Sequence, residues 1–251
     1  MMGALKMKFR RVSATAFIKS LAPMLRGAMA ALALLVLVGA SPAPPAERPP
    51  VGMALILLVD VSGSIDDGEY MLQRDGIAQA FRDPAVARAV RSQTHGALAV
   101  TVIEWSSSEA IVVPWTIVRN ERDLARLAAR VAAVKRTSTG ATCIGDAIVF
   151  ALATFEDCPC RPVRRVIDIS GDGIGSGGWV GVDAAHEMAL AAGVTVNGLP
   201  ILDPDEEDLE SYYRDRVIAG PDSFIVEAHG FEDFARALRH KLIREIAQAP
   251  R

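Results

Sequence analysis

Apolar residues fill every position from Met53 to Val59 (Met-Ala-Leu-Ile-Leu-Leu-Val), the pattern of a strand buried on both faces of a parallel sheet. The period then changes from solid to helical. Asp66, with Glu69 three residues on, forms a capping pair, and Tyr70, Ile77 and Phe81 fall on one stripe of the helix that follows. Ala97 to Trp105 and Ile111 to Val118 read as strands, and Ser106-Ser-Ser-Glu109 between them is turn chemistry short enough for an antiparallel hairpin. From Asn120 as cap, Leu124, Leu127, Ala128 and Val131 predict a second helix; Ile144, Ile148, Ala151 and Phe155 predict a third. A strand over Val163 to Ile169, a helix over Val182 to Ala192 and a strand over Val194 to Ile201 follow. The tail predicts a short helix around 209–217, a strand over Ser223 to Val226, and a last helix with Phe231, Phe234, Leu238, Leu242 and Ile246 on one face. Strands and helices alternate almost throughout, which implies an α/β fold: a Rossmann-like open, mostly parallel sheet, one edge strand antiparallel, with helices on both faces.

The first 40 residues do not share this pattern. They hold six basic residues (Lys6, Lys8, Arg10, Arg11, Lys19, Arg26) and no acidic one, then an unbroken apolar run from Ala28 to Ala40 ending in Val38-Gly39-Ala40. Basic, apolar, small-residue order is that of a secretory signal peptide, and 13 apolar residues fall short of the ~20 that span hydrocarbon. The expected organisation is a signal peptide over 1–40, a Pro-rich tether over 41–50 and a single folded domain over 51–251, with the mature protein periplasmic or secreted and without a stable membrane span. A retained N-terminal membrane anchor is the alternative.

Composition narrows the partners. Of 251 residues 51% are hydrophobic and 23% charged, enough for a real core. The body from residue 41 carries the remaining 21 basic and all 30 acidic residues, a formal charge of −9. A surface this acidic excludes nonspecific nucleic-acid binding, which needs positive charge to release counterions, and disfavours anionic lipid likewise. Cations or basic partners suit it better.

In a sheet of this kind, ligands gather at the carboxyl ends of the central strands. The residues leaving the first strand are Asp60-Val61-Ser62-Gly63-Ser64, a carboxylate and two hydroxyls on alternate residues. Oxygen-only donors select a hard cation such as Mg²⁺ or Mn²⁺. Thr139-Gly-Ala-Thr142-Cys-Ile-Gly145 brings a hydroxyl to the start of the third helix, and Ser170-Gly-Asp172-Gly173 puts a carboxylate just past a central strand.

Asp60-x-Ser62-x-Ser64, then Gly140-Ala-Thr142, then Asp172-Gly173 resembles the metal ion-dependent adhesion site (MIDAS) of the von Willebrand factor type A domain. Over nearly the whole body the chain is also similar to a secreted bacterial group of that superfamily with no assigned function. The resemblance implies Ser62, Ser64 and Thr142 as direct hydroxyl ligands of a divalent cation, Asp60 and Asp172 as direct or water-mediated ones, and an open position for a partner protein's carboxylate. In one respect the chain departs from the pattern: the family commonly has the acid straight after a hydroxyl residue, whereas Gly171 intervenes here, which leaves the geometry of Asp172 less defined.

Catalysis is the competing reading. A hydrolase needs a nucleophile or metal-bound water with a base in reach, and no histidine is placed to serve: His95 precedes the second strand, His186 and His240 fall in helices, and His229 follows the far edge strand. The expectation is therefore an interaction module and no enzyme, with a metal-dependent hydrolase or a purely structural domain as alternatives. Asp168, inside Val166-Ile-Asp-Ile169, is expected to pair with Arg164, Arg165 or backbone donors, since a buried carboxylate alone is costly. The acidic run Asp203-Pro-Asp-Glu-Glu-Asp-Leu-Glu210 lacks EF-hand spacing and reads as a solvated helix start. Cys143 is expected free, because an intervening helix would hold it roughly 22 Å from Cys158. Cys158 and Cys160 could close only a tight Cys-Pro-Cys ring and are expected reduced or weakly bonded.

Overall fold

The computed structural model describes residues 47–203 and 208–248; the expected signal peptide and most of the tether lie outside them. Strand β1 (Pro50–Asp60) has its alternate residues in two cores: Met53, Leu55, Leu57 and Val59 face one side, Ala54, Ile56 and Leu58 the other. This is why the run could be solidly apolar. Helix α1 (Asp67–Phe81) begins with the Asp66–Glu69 capping box, both reciprocal hydrogen bonds present at 2.8 Å. Helix α2 (Pro84–Ser92) was not foreseen, although its start carries a signal: Asp83 accepts from Ala85 N at 2.7 Å, with Pro84 at the first helical position. Strands β2 (Leu98–Trp105) and β3 (Glu109–Val118) form the expected antiparallel pair. Helix α3 (Glu121–Ala132) is capped by Asn120, and helix α4 (Ile144–Thr154) follows the Thr142 loop. Strand β4 (Arg161–Gly171), helix α5 (Val182–Ala191) and strand β5 (Thr195–Leu202) complete the central region.

The strand order is β3-β2-β1-β4-β5-β6, with every neighbouring pair parallel except β2–β3. Helices α1, α2, α3 and the last helix, α7 (Phe234–Ala247), supply one core. The other core takes α4, α5 and the segment in which a single α-turn, α6 (Leu209–Tyr212), runs into a π-turn over Tyr213–Val217. The last strand, β6, is Ala228–His229 and not Ser223–Val226. The reason is side-chain competition: Asn197 Oδ1 accepts the Phe224 N–H at 3.0 Å, leaving an isolated bridge at Gly198–Ile225, and the ladder resumes only at Ile201–Ala228.

Two further expectations are corrected. Asp168 does not pair with Arg164 or Arg165; its Oδ1 lies 2.6 Å from Lys241 Nζ, which also meets Glu245 Oε1 at 2.7 Å, all three buried against the sheet. Cys158 and Cys160 form a disulfide, with Cα atoms 5.3 Å apart, while Cys143 is free and buried as expected.

Candidate functional site

The end of β1 projects Asp60 into the interior, fully buried, with Ser62 behind it and Ser64 exposed at the turn. Asp60 Oδ1 accepts the Ser62 N–H at 2.7 Å, and Oδ2 has no partner. Ser62 Oγ lies 3.3 Å from Ser64 Oγ, which donates to Asp172 Oδ1 at 2.8 Å. The loop before α4 reaches the same place: Gly63 N donates to Gly140 O at 2.8 Å, and a Cβ at Gly173 would lie 3.8 Å from Thr142 Oγ1. The structure thus brings the three segments of Asp60, Ser62, Ser64, Thr142 and Asp172 together at the carboxyl ends of β1 and β4.

Long-range contacts set that convergence. Arg136 Nη2 donates to both Val61 O and Ser62 O at 2.9 Å, fastening the loop before α4 to the first motif. Glu104, buried in β2, accepts from Tyr70 Oη at 2.7 Å through one oxygen and from Thr137 N and Oγ1 at 2.8 and 2.7 Å through the other. Close approach explains Gly140, whose Cβ would collide with Ser107 Oγ. Gly171 has the same logic: a Cβ there would lie 2.6 Å from Asp60 Oδ2 and 2.8 Å from Tyr213 Oη. The intervening glycine is therefore what lets Asp60 and the buried Tyr213 hydroxyl, itself without a partner, approach the end of β4. Ser170 turns away, its Oγ donating to Leu58 O at 3.4 Å.

The electrostatics are those of an acceptor-rich pocket. Burial, opposed by the Ser62 hydrogen bonds and reinforced by the Asp172 charge, pushes the Asp60 carboxyl up to about 7 from 3.8. Burial raises Asp172 as well. Two carboxylates, one of them with an orphaned buried oxygen, and three hydroxyls fit a hard divalent cation by donor chemistry. No cluster of three or more His, Cys, Asp or Glu with metal-holding geometry exists among the described residues, so any such centre depends on hydroxyls.

Sequence reasoning missed Glu104, Arg136 and Tyr213. Glu104 carries a signal, a lone carboxylate inside the apolar run Val102-Ile-Glu-Trp105. Arg136 and Tyr213 carry none, because each earns its place through partners remote in sequence. The loop after Asp172 matters too. Ser176 N donates to Thr142 O at 3.0 Å and its Oγ accepts from Thr142 N at 3.3 Å. Asp146 accepts the N–H groups of Trp179 and Val180, down to 2.9 and 2.8 Å. On this pinned backbone the Trp179 side chain is 99% exposed, with Ile174 half-exposed nearby in sequence.

Residues 50–250 match the family described as "Protein of unknown function (DUF1194)". No curated protein matches the chain. Among solved structures, the fold is similar to proximal thread matrix protein 1 from the mussel byssus (TM-score 0.56, 14% identity, 78% of this chain and 47% of that one). The same mussel protein with a zinc-occupied MIDAS motif is similar at TM-score 0.54 and 12% identity, over 78% of this chain and 46% of that one. So are von Willebrand factor type A from Catenulispora acidiphila (TM-score 0.54, 14% identity, 78% and 43%) and the pilus adhesin SpaC of Lactobacillus rhamnosus GG in its open conformation (TM-score 0.55, 15% identity, 80% and 30%). The chain spans less than half the length of each of these proteins.

Proposed function

The chain belongs to the family described as "Protein of unknown function (DUF1194)" and has the von Willebrand factor type A fold, and from that premise we propose that it is an exported adhesion module that binds a partner protein through a divalent cation. Asp60, Ser62, Ser64, Thr142 and Asp172 would hold Mg²⁺ or Mn²⁺. The observation that carries the reading is the Asp60 carboxylate, fully buried with one oxygen unpartnered, next to the bonded Ser62, Ser64 and Asp172 side chains. An unpaired buried charge costs several kcal/mol, on the order expected for ion desolvation, and a cation removes that cost. When bound, the ion supplies a Lewis-acidic position for an outside carboxylate. The similarity to the mussel protein with its zinc-occupied MIDAS motif supports metal binding, and the pilus adhesin supports an adhesive role.

The chain's own residues divide the work. Ser64, exposed and bonded to Asp172, stands at the mouth. Trp179, on the loop that also bonds Thr142 and pinned through its backbone N–H, offers an exposed aromatic side chain for a partner, a residue type common in interface hot spots. Among the described residues no helix is long and apolar enough to cross a membrane, and the export half of the reading predicts a mature N-terminus near Ser41 outside the cytoplasm, checked by N-terminal sequencing.

The test is capture from envelope extract on immobilised protein. A partner retained in Mg²⁺, released by EDTA and not captured by Asp60→Ala is the expected result; equal capture in excess EDTA refutes cation bridging. Trp179→Ala should weaken that capture about tenfold or more while leaving thermal melting unchanged, because its side chain touches solvent alone.

A further inference from the structure

At the opposite end of the sheet from Asp60, β4 overhangs its neighbour. Arg161 to Arg165 pair with β1 on one side, but β4–β5 pairing begins only at Val166–Thr195. The gap left beside the overhang is a cleft of about 1210 Å³, walled across from β4 by the turns at Gly193 and Gly220 and by the end of α7. Arg48, Arg161, Arg164, Arg165 and Arg244 line it, and Arg161 Nε donates to Arg48 O at 3.0 Å. In a body of formal charge −9, five guanidinium groups on one concavity stand out, and so do the partners of four of them. Arg74, Arg91, Arg126, Arg136, Arg214, Arg216, Arg236 and Arg239 each pair with a carboxylate. Arg48, Arg164, Arg165 and Arg244 have no such carboxylate pair among the described residues.

Backbone oxygens hold them instead. Arg48 Nη1 donates to Glu156 O at 3.3 Å, Arg164 Nη2 to Glu245 O at 2.8 Å, and Arg165 Nη2 to Ala192 O. Arg244 lies over the Phe224 ring, its Cζ 3.7 Å from the centroid. A carbonyl or a ring orients a guanidinium without neutralising it, so the charges and their remaining N–H donors stay available. Arg164 Nε is buried with no partner. The wall is stiffened where β4 begins: Cys158 and Cys160 are bridged, and Pro162 sits in the overhang. Pro162 also lacks an N–H, which makes this edge a poor template for an added strand.

We propose that this cleft is a binding site for a small phosphate-bearing ligand with more than one negative charge, held by the forked N–H groups of Arg48, Arg164, Arg165 and Arg244. Arginine forks match phosphate oxygens two at a time, and the volume exceeds what one inorganic phosphate fills. The net charge of −9 on the body disfavours a broad anionic sheet, so the ligand is a discrete one. Glu156 and Asp222 also line the cleft. This site is separate from the cation site and does not depend on it.

Pyrophosphate is the probe, titrated calorimetrically into the full chain in EDTA at low salt, with phospholipid vesicles containing phosphatidylglycerol as a second arm. Saturable one-to-one binding is expected, weakened about tenfold by Arg244→Gln and further by Arg48→Gln together with it. Both side chains are exposed, so these variants keep the fold. Arg165→Gln should lose binding as well. Vesicle binding displaced by pyrophosphate would put the phosphate on a lipid headgroup; pyrophosphate binding without vesicle binding would put it on a soluble ligand. Absence of pyrophosphate binding, or binding unchanged in the double variant, overturns the proposal.

Discussion

Asp60→Asn should abolish Mn²⁺ binding and, with it, the thermal response to metal, while leaving the metal-free protein no less stable than the wild type. The carboxylate lies in a fully buried position with Oδ2 unpartnered and Asp172 nearby. In the metal-free protein it contributes cost, not stability. Asparagine keeps an oxygen for the Ser62 N–H, now bonded at 2.7 Å, and removes the charge. Metal added at a hundredfold over its Kd contributes about 2.7 kcal/mol to the native state. For a domain of this size that raises Tm by about 5–10 °C. Melting with EDTA and with Mg²⁺ or Mn²⁺ is the measurement: the wild type should show the shift and Asp60→Asn none. A variant that still responds, or a wild type that never does, would remove the cation from the account of this site while leaving the arginine cleft untouched.

The second large effect lies in the buried cluster that fastens α7 to the sheet. Lys241 joins Asp168 on β4 to Glu245 one turn on, and Asn197 Nδ2 donates to the same Glu245 oxygen at 2.9 Å. Removing the cation leaves the Asp168 carboxylate buried beside the Glu245 carboxyl with no positive partner. Lys241→Met, which retains the stem, should cost about 3–5 kcal/mol, a Tm fall of about 6–20 °C. Adding Asp168→Asn and Glu245→Gln should recover most of that fall. A Lys241→Met protein that melts with the wild type would mean the charges are screened by something other than Lys241.

The same cluster dictates a pH dependence. Burial first, and then the Asp168 charge, pushes the Glu245 carboxyl up to about 8 from 4.5. The native state therefore keeps a proton that the unfolded chain releases above pH 4.5, so stability falls as pH rises from about 4.5 to about 8 and levels off beyond. Glu245→Gln should flatten that slope, measured as the urea midpoint across the range.

Much of this molecule is written in short stretches of chain. The solid run before Asp60 specifies a doubly buried strand, Asp66 and Asn120 specify helix starts, and the short Ser106–Ser108 turn specifies the one antiparallel pair, because each signal acts within a few residues of itself. The candidate site is local in a related way: Asp60-x-Ser62-x-Ser64 and Asp172 are compact motifs at the ends of β1 and β4, and Thr142 lies in the short loop that opens α4. Tertiary structure decided what those motifs face. No local period announces that Lys241 will answer Asp168, that Glu104 and Arg136 will hold the Thr142 loop, or that Gly171 is small because Asp60 and Tyr213 crowd it. The register offset between β4 and β5 that opens the arginine cleft is a property of a strand pair, and neither strand alone encodes it. Backbone preference and amphipathic period are sums over neighbours in sequence, whereas burying a charge is balanced only by whichever partner packing brings within reach.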